Sequence, residues 1–431
     1  MSACQSVTRL LTRPSTRHRL LGLTAAWLLT RALMLWLLAH DGLPLLGGGS
    51  VAREVWKLYQ HWYGLLSHGA FPAHDTLWQY PPGAGPVLLS PALLPGLTYF
   101  RAFVVLTVAV DALVTLALAH AGTRPGRSLR GAGYWTLGLP LLLHVPLARY
   151  DVQATALAVL SLLALPRSPR ACGALAALGA LVKVWPALAL LGPPRGRPTR
   201  SAWTWAAATG AVLLTVLAGL FENPLAFARQ QGGRGVQIES FGGTALALAT
   251  HAGWPGRVRY RYGSLEFTGP YVSTVAHLSL ALSAGAFGLL LLWRIRARHW
   301  TPATPYDAAL SAVLLFTVTS RVISPQYMVW LLGLAAVCLT SPLTTQRPVA
   351  ALIALASLVS VIAYPVLYQQ VAACTWTGCA LMVMRNALLA AAALFSFARL
   401  WRSTTSPKWM RQEGEPEPGT HRLPHGTLSP S

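Results

Sequence analysis

Ala202-Trp-Thr-Trp-Ala-Ala-Ala-Thr-Gly-Ala-Val-Leu-Leu-Thr-Val-Leu-Ala-Gly-Leu-Phe221 carries no charge along its whole length, and Arg195, Arg197 and Arg200 stand just before it. A helix rises about 1.5 Å per residue, so some twenty residues cover about 30 Å, the thickness of the bilayer hydrocarbon. Backbone groups in hydrocarbon must bond to one another, and the stretch lacks the alternation of a barrel strand, which leaves a membrane-spanning helix. Runs of the same kind cover 20–40, 101–121, 271–293 and 381–401.

Composition agrees. Of 431 residues, 54% are hydrophobic and only 11% charged, whereas a soluble domain carries about a quarter charged residues. Weaker or shorter apolar runs at 132–147, 152–165, 171–182, 184–194, 305–320, 326–340 and 348–364 bring the expected total to about twelve helices in an all-α polytopic membrane protein. Those around Lys183 are too short to cross a flat bilayer and are read as broken helices buried in protein or lining a cavity. The run beginning at Leu20 is too long for a signal-peptide core, and no small-residue cleavage site follows it, so it is the first span.

The formal net charge of +22 does not point to nucleic acid. The basic residues fall in short clusters between apolar runs: Arg9 to Arg19; Arg124, Arg127 and Arg130; Arg167 and Arg170; Arg195, Arg197 and Arg200; Arg294, Arg296 and Arg298; and Arg399 to Arg411. Short Lys/Arg-rich loops stay cytoplasmic, which predicts a multi-pass plasma-membrane protein with both termini inside. The domain layout is a cytoplasmic basic segment (1–19), a membrane domain (20–401) and a Pro/Ser/Gly-rich tail (402–431) expected to be disordered.

Two long loops fall on the outward side, 41–100 and 222–270. The first contains Glu54-Val-Trp-Lys-Leu-Tyr-Gln-His-Trp-Tyr63, with Trp56, Tyr59, Trp62 and Tyr63 at helical spacing, as in a helix lying at the membrane interface. After Trp78-Gln-Tyr-Pro-Pro82, the run 84–97 reads as a shallow juxtamembrane helix. The second loop holds Arg234-Gly-Val-Gln-Ile-Glu-Ser240 and the basic-aromatic stretch Arg257 to Tyr262.

Acids are scarce. Of twelve, three lie in the tail, and Asp41, Glu54, Asp75, Asp151, Glu222, Glu239 and Glu266 all fall on the outward side or at outer helix ends. Acids contribute little to orientation, and acids retained in so apolar a chain mark a functional cavity. For any one of them a helix cap or a solvated loop position is the simpler explanation. On the same side lie Lys183, within an apolar run, Arg149, Arg234 and Arg321. A phosphate at the membrane surface suits them, Arg as a bidentate fork and Lys as a point charge; pairing with an acid or snorkelling is the competing account of Lys183. His144 and His251 are further candidates to line the site, although a lone His is more often structural. Cys374 and Cys379 share an outer loop, where a disulfide is permitted.

Glu54-Val-x-x-x-Tyr59 with Trp62, Trp78-Gln-Tyr-Pro-Pro82, Arg149-Tyr-Asp151, Gly179-x-x-x-Lys183 with Trp185-Pro186, Arg234-Gly-x-Gln-x-Glu-Ser240, and Ser324-Pro-Gln-Tyr327 with Trp330 occur in this order. Together they resemble the family 87 glycosyltransferases, polytopic GT-C-fold enzymes that include polyprenyl-phosphate-mannose-dependent mannosyltransferases. The resemblance implies a GT-C-like bundle and transfer of a sugar, mannose in the named relatives, from a polyprenyl-phosphate donor to a lipid or glycan acceptor at the outer face. The family's base, an Asp in the first outer loop, corresponds to Glu54 here; Asp75 is the second candidate. Lys183, Arg234 and Arg321 are expected around the donor phosphate. Tyr59, Trp78, Tyr80, Asp151, Gln237, Glu239, Gln326 and Tyr327 are expected to bind substrate. A base must take the acceptor proton, cations must meet the charge gathering on the leaving phosphate, and inversion at the anomeric carbon follows.

Nothing calls for a cofactor or a metal: there is no Gly-x-x-x-x-Gly-Lys, no His-Glu-x-x-His and no Asp-x-Asp in the first loop. A secondary transporter is the main alternative, but transporters are commonly built from repeats, which the chain lacks. A flippase or polymerase of lipid-linked glycans would want the same cations, and only an assay for sugar transfer separates it.

Overall fold

The computed structural model describes residues 14–72, 75–221 and 223–405. The basic residues before Pro14, Glu222 and most of the expected disordered tail lie outside the described residues. Six helices are long and apolar enough to cross a membrane: Thr16–Ala39, Tyr99–Gly122, Arg197–Leu220, Val272–Arg296, Arg347–Val366 and Trp376–Thr405. Shorter apolar helices include Asp151–Ala164, Pro169–Val182 and Tyr327–Leu339. The chain is an all-α polytopic membrane protein.

The expected broken segments are broken. Arg130–Gly138 gives way to 3₁₀ turns at Leu139–Leu142 and Val145–Ala148, and the run after Lys183 is a 3₁₀ helix, Trp185–Leu191. In each, a proline at the first or second position removes a donor that a longer α-helix would need. Ala84–Leu93 is likewise short, passing from α to 3₁₀ at Ser90 with Pro91 next. Clean helix starts have local causes: Thr98 and Ser168 each accept a hydrogen bond from the backbone three residues on.

Packing centres on Asp151–Ala164, Tyr327–Leu339 and Thr304–Thr319, whose side chains are mostly buried. Pro169–Val182 and Arg197–Leu220 pack closely. A Cβ on Gly173 would sit 2.0 Å from the Ala202 carbonyl oxygen, so a small residue is needed at this crossing. One charge pair deep between helices is not evident from the sequence. Arg31 on the first span donates from Nε and Nη2 to both oxygens of Asp111 on the second, each at 2.7 Å. The indoles of Trp27 and Trp135 donate to the same carboxylate at 2.7 and 2.8 Å. The carboxylate is thus fully bonded, as a buried charge requires.

A small antiparallel sheet stands in the second long loop, where the sequence reading has no strands. Its order is β1 (Val236–Gln237), β3 (Ser264–Thr268), β2 (Arg257–Arg261). The turn Tyr262-Gly263 has φ of 50° and 76°, the double positive φ of a type I′ hairpin.

The two ends of the bundle differ. At one end Arg195 bonds the main chain of Arg294 and Ile295, Arg294 bonds Thr199, and Arg19, Arg130 and Arg347 line one recess. The long loops and the sheet gather at the other.

Candidate active site

At the loop end a cavity of about 590 Å³ opens between the first loop, the sheet and the segments before Tyr327 and after Val361. Its wall from the first loop is a helix running through Ser50–Arg53 and Glu54–Tyr59, the second part wound as a π-helix; such bulges in helices are frequent at functional sites. Ser50, Arg53, Glu54, Lys57 and His61 face the cavity at a helical spacing of three or four residues. The opposite face of the same helix supplies Val51, Val55 and Tyr59 to the core. Glu54 is half-buried, and Arg53 and Lys57 are exposed.

Arg149 completes this wall. Its Nη1 donates to the carbonyl of Val51 at 3.0 Å and Nη2 to the Tyr364 hydroxyl at 3.2 Å. Burial works against the guanidinium charge, but the Glu54 carboxylate, Tyr364, Tyr59 and Tyr80 outweigh it, so its pKa is raised. Burial and then the Glu54 carboxylate push the Tyr260 phenol upward as well. The Glu54 carboxylate thus acts on both Arg149 and Tyr260.

The remaining walls come from Gln237 and Glu239, the hairpin residues Tyr260 and Gly263 to Leu265, and Ser324 to Gln326. Gln237 Nε2 donates to Ser324 Oγ at 3.3 Å. Glu239 is 2% exposed and pairs with the fully buried Arg385 on the last span at 3.6 Å. Burial raises its carboxyl to about 7, with Arg385 partly offsetting that rise.

Of the sequence-predicted residues, Glu54, Gln237, Glu239 and Gln326 line this cavity together. Others lie elsewhere. Lys183 Nζ pairs with Asp151 Oδ1, which also accepts from the Trp330 indole at 2.6 Å. The ammonium lies 4.7 Å from the Tyr150 ring centre and 5.2 Å from that of Trp330. Tyr327 stacks on Trp330 at 3.8 Å. Lys183, Asp151 and Tyr327 are thus one cluster, in which Asp151 Oδ2 alone has no hydrogen-bond partner among the described residues. The sequence shows no acid near Lys183 because the partner is 32 residues away. Arg234 is bonded to Glu266 and Ser264, tying the strand motif to β3. Arg321 donates to the Gln231 carbonyl. None of these three cations lines the cavity, contrary to the expected ring around one phosphate. The cations that do are Arg53, Lys57 and Arg149; the helical spacing of Arg53 and Lys57 around Glu54 was the available signal.

The aromatic assignments also change. Tyr59 and Trp78 are 1% and 0% exposed, packed edge-on with Trp62, Tyr80 and Tyr150, so they are core and not sugar platforms. The amphipathic helix buries Tyr59 and Trp62 in the protein, leaving Trp56 its strongly exposed aromatic. Asp75 accepts from the Leu77 amide at 2.8 Å and the Trp62 indole at 3.2 Å; it shapes the turn leading to Trp78 and does not line the cavity. Cys374 and Cys379 are both free thiols. The His251 ring lies against Trp376 and the Cys374 carbonyl.

No curated protein and no solved structure matches the chain. The matching family description is glycosyltransferase family 87, and its match runs from residue 78 to residue 325. That span includes Arg149, Gln237, Glu239 and Ser324 and begins after Glu54. Covering more than half of the sequence, it shows that this chain belongs to glycosyltransferase family 87.

Proposed function

We propose that this glycosyltransferase moves a sugar, mannose by the family resemblance, from a polyprenyl phosphate to an acceptor hydroxyl of a lipid or glycan at the outer face of the plasma membrane. The observation that carries the reading is the shared cavity of Glu54 with Arg53, Lys57 and Arg149. Glu54 takes the acceptor proton as its oxygen attacks the anomeric carbon. The bond from that carbon to the phosphate oxygen breaks, and the cations meet the charge collecting on the leaving phosphate. The phosphate departs as an anion, so no acid is needed, and a carboxylate that only deprotonates the acceptor gives inversion. Gln237, Glu239 and Gln326 are the polar groups available to hold the sugar. Both termini then lie in the cytoplasm with the basic loops.

The test uses purified full-length protein and a radiolabelled polyprenyl-phosphate sugar. Sugar transfer is expected. Lipid movement between leaflets without transfer would favour the flippase reading. Sidedness is read by single cysteines and a membrane-impermeant reagent. Probes at exposed Leu45 and Ala245 should react in intact cells, and probes at Gly126 and Arg197 should not. Labelling at Gly126 would invert the topology.

A further inference from the structure

The helix that carries Glu54 is anchored by a pair of buried side chains that lie outside the cavity of Glu54, Asp41 bordering a separate recess on the other side of the helix start. Asp41, the second residue after the first span, is 3% exposed, and His144 is 0% exposed. The His144 ring donates from Nε2 to Asp41 Oδ1 at 2.7 Å. The other carboxylate oxygen, Oδ2, accepts from the backbone amide of Ala52 at 2.9 Å. The amide of Gly49 donates to the Asp41 carbonyl at 2.7 Å. Ala52 lies two residues before Glu54, and its neighbour Val51 is the residue whose carbonyl receives Arg149.

His144 and Arg149 come from one short segment, residues 143–149, in which Leu143 has a φ of 51°. That is a strained value for a branched side chain. His144 Nδ1 is buried with no partner among the described residues, so the Asp41 bond is the ring's one polar tie. Gly47, Gly48 and Gly49, all with positive φ, turn the chain from the first span into the helix start. Side chains on both sides of Ala52 and Val51 therefore set where the first turn of the helix sits, and with it the direction of Glu54.

We infer that Asp41 and His144 are a positioning pair that holds the helix of Glu54 at the cavity wall in the productive geometry. The inference rests on Glu54 being the base. Misplacing a reacting group by about 1 Å can cost about 100-fold in rate, so His144→Ala and Asp41→Ala should lower kcat by about 10- to 100-fold while donor KM moves far less. His144→Gln, whose amide can still donate to Asp41, should recover most of the loss. Asp41→Asn, which keeps one acceptor oxygen for two ties, should fall between. The decisive reading is non-additive. In a Glu54→Gln background, His144→Ala should cause no further fall in kcat, because there is no base left to aim.

Wild-type kcat in His144→Ala, or the same fractional loss with and without Glu54→Gln, would overturn the inference while leaving Glu54 as base. Normal transfer by Glu54→Gln alone would instead remove the base assignment and the positioning role together. Should His144→Ala prove too unstable to purify, His144→Gln and Asp41→Asn carry the same comparison.

Discussion

Two groups of charge, far apart in the chain, behave oppositely. In the cavity, the side chains of Arg53 and Glu54 make no hydrogen bond or ion pair among the described residues, and Lys57 meets only the Trp56 ring at 5.2 Å. In the Lys183 cluster the ammonium is met by Asp151 and by three aromatic faces. Asp151 Oδ1 also takes the Trp330 indole, while Oδ2 is buried with no hydrogen-bond partner among the described residues. An ionisable group left unpaired in so apolar a protein is a group kept for something that arrives. A group whose counter-charge is built in is committed to the fold. Changes at the first should therefore act on turnover, and changes at the second on stability.

The largest expected effect belongs to Glu54. Glutamine keeps size and hydrogen bonding but cannot take a proton, so Glu54→Gln should lose at least about 100-fold in turnover, within the ~10²–10⁴ range of a general base. Donor binding and thermal unfolding should stay near wild type. Glu54→Asp should be mild, since it keeps a carboxylate on the same cavity wall. Asp75→Asn gives the contrast: it loosens the turn at Leu77 and leaves the chemistry. If Asp75→Asn stops transfer in a folded protein while Glu54→Gln does not, the two roles are exchanged.

Lys183→Met comes next and tests the other half. Breaking a buried ion pair by removing one partner typically costs about 3–5 kcal/mol, because the remaining charge stays buried and alone. Asp151 has a side-chain exposure of 1%, so that penalty applies here. Adding Asp151→Asn should recover much of the loss while keeping an oxygen for the Trp330 indole. A Lys183→Met protein that unfolds normally but fails to use donor would return Lys183 to the phosphate.

The contrast also explains what was legible in the sequence. Span positions were, because hydropathy is local: the run at 101–121 lies within helix Tyr99–Gly122, and those at 202–221 and 271–293 lie, but for one residue each, within Arg197–Leu220 and Val272–Arg296. The gathering of the basic loops followed from charge alone. The site was only half legible. Glu54 and Gln237 were chosen by motif, and both line the cavity. Lys183, Asp151 and Trp330 were chosen by the same reasoning, yet their pairing spans 32 and 179 residues, which no local pattern encodes. The hairpin was missed because Arg257-Val-Arg-Tyr-Arg261 reads as a charge run, its Tyr-Gly turn being the one signal of a strand pair.

Glu239 stands between the two groups, lining the cavity yet paired with Arg385. Its carboxyl rises from an ordinary 4.5 to about 7 in the folded protein, so between those values the folded state binds more protons than the unfolded chain. Stability contributed here is fully present below about pH 4.5 and is lost as pH rises through about 7. At about 1.4 kcal/mol per pKa unit the full loss is about 3 kcal/mol. Thermal unfolding in detergent from pH 4 to 8 should show this decline, and Glu239→Gln should flatten it. An unchanged slope in the variant would assign the decline to another group.

The smallest expected effects are at Arg53 and Lys57. Both are exposed, so neither side chain is held by the fold, and removing either should leave thermal unfolding unchanged. If they meet the donor phosphate, each supplies a charge-assisted contact near the lower end of about 1.5–3 kcal/mol, given their access to water. That is about tenfold in donor affinity for each of Arg53→Gln and Lys57→Gln. The effect should shrink as salt rises, because screening acts on exposed charges first. A salt-independent loss would mean that the side chain packs against the sugar or lipid and does not act through its charge. No loss in the double variant would leave Arg149 alone to meet the phosphate. The division between free and committed charge would then run inside the cavity wall, between the helix of Glu54 and the segment behind it.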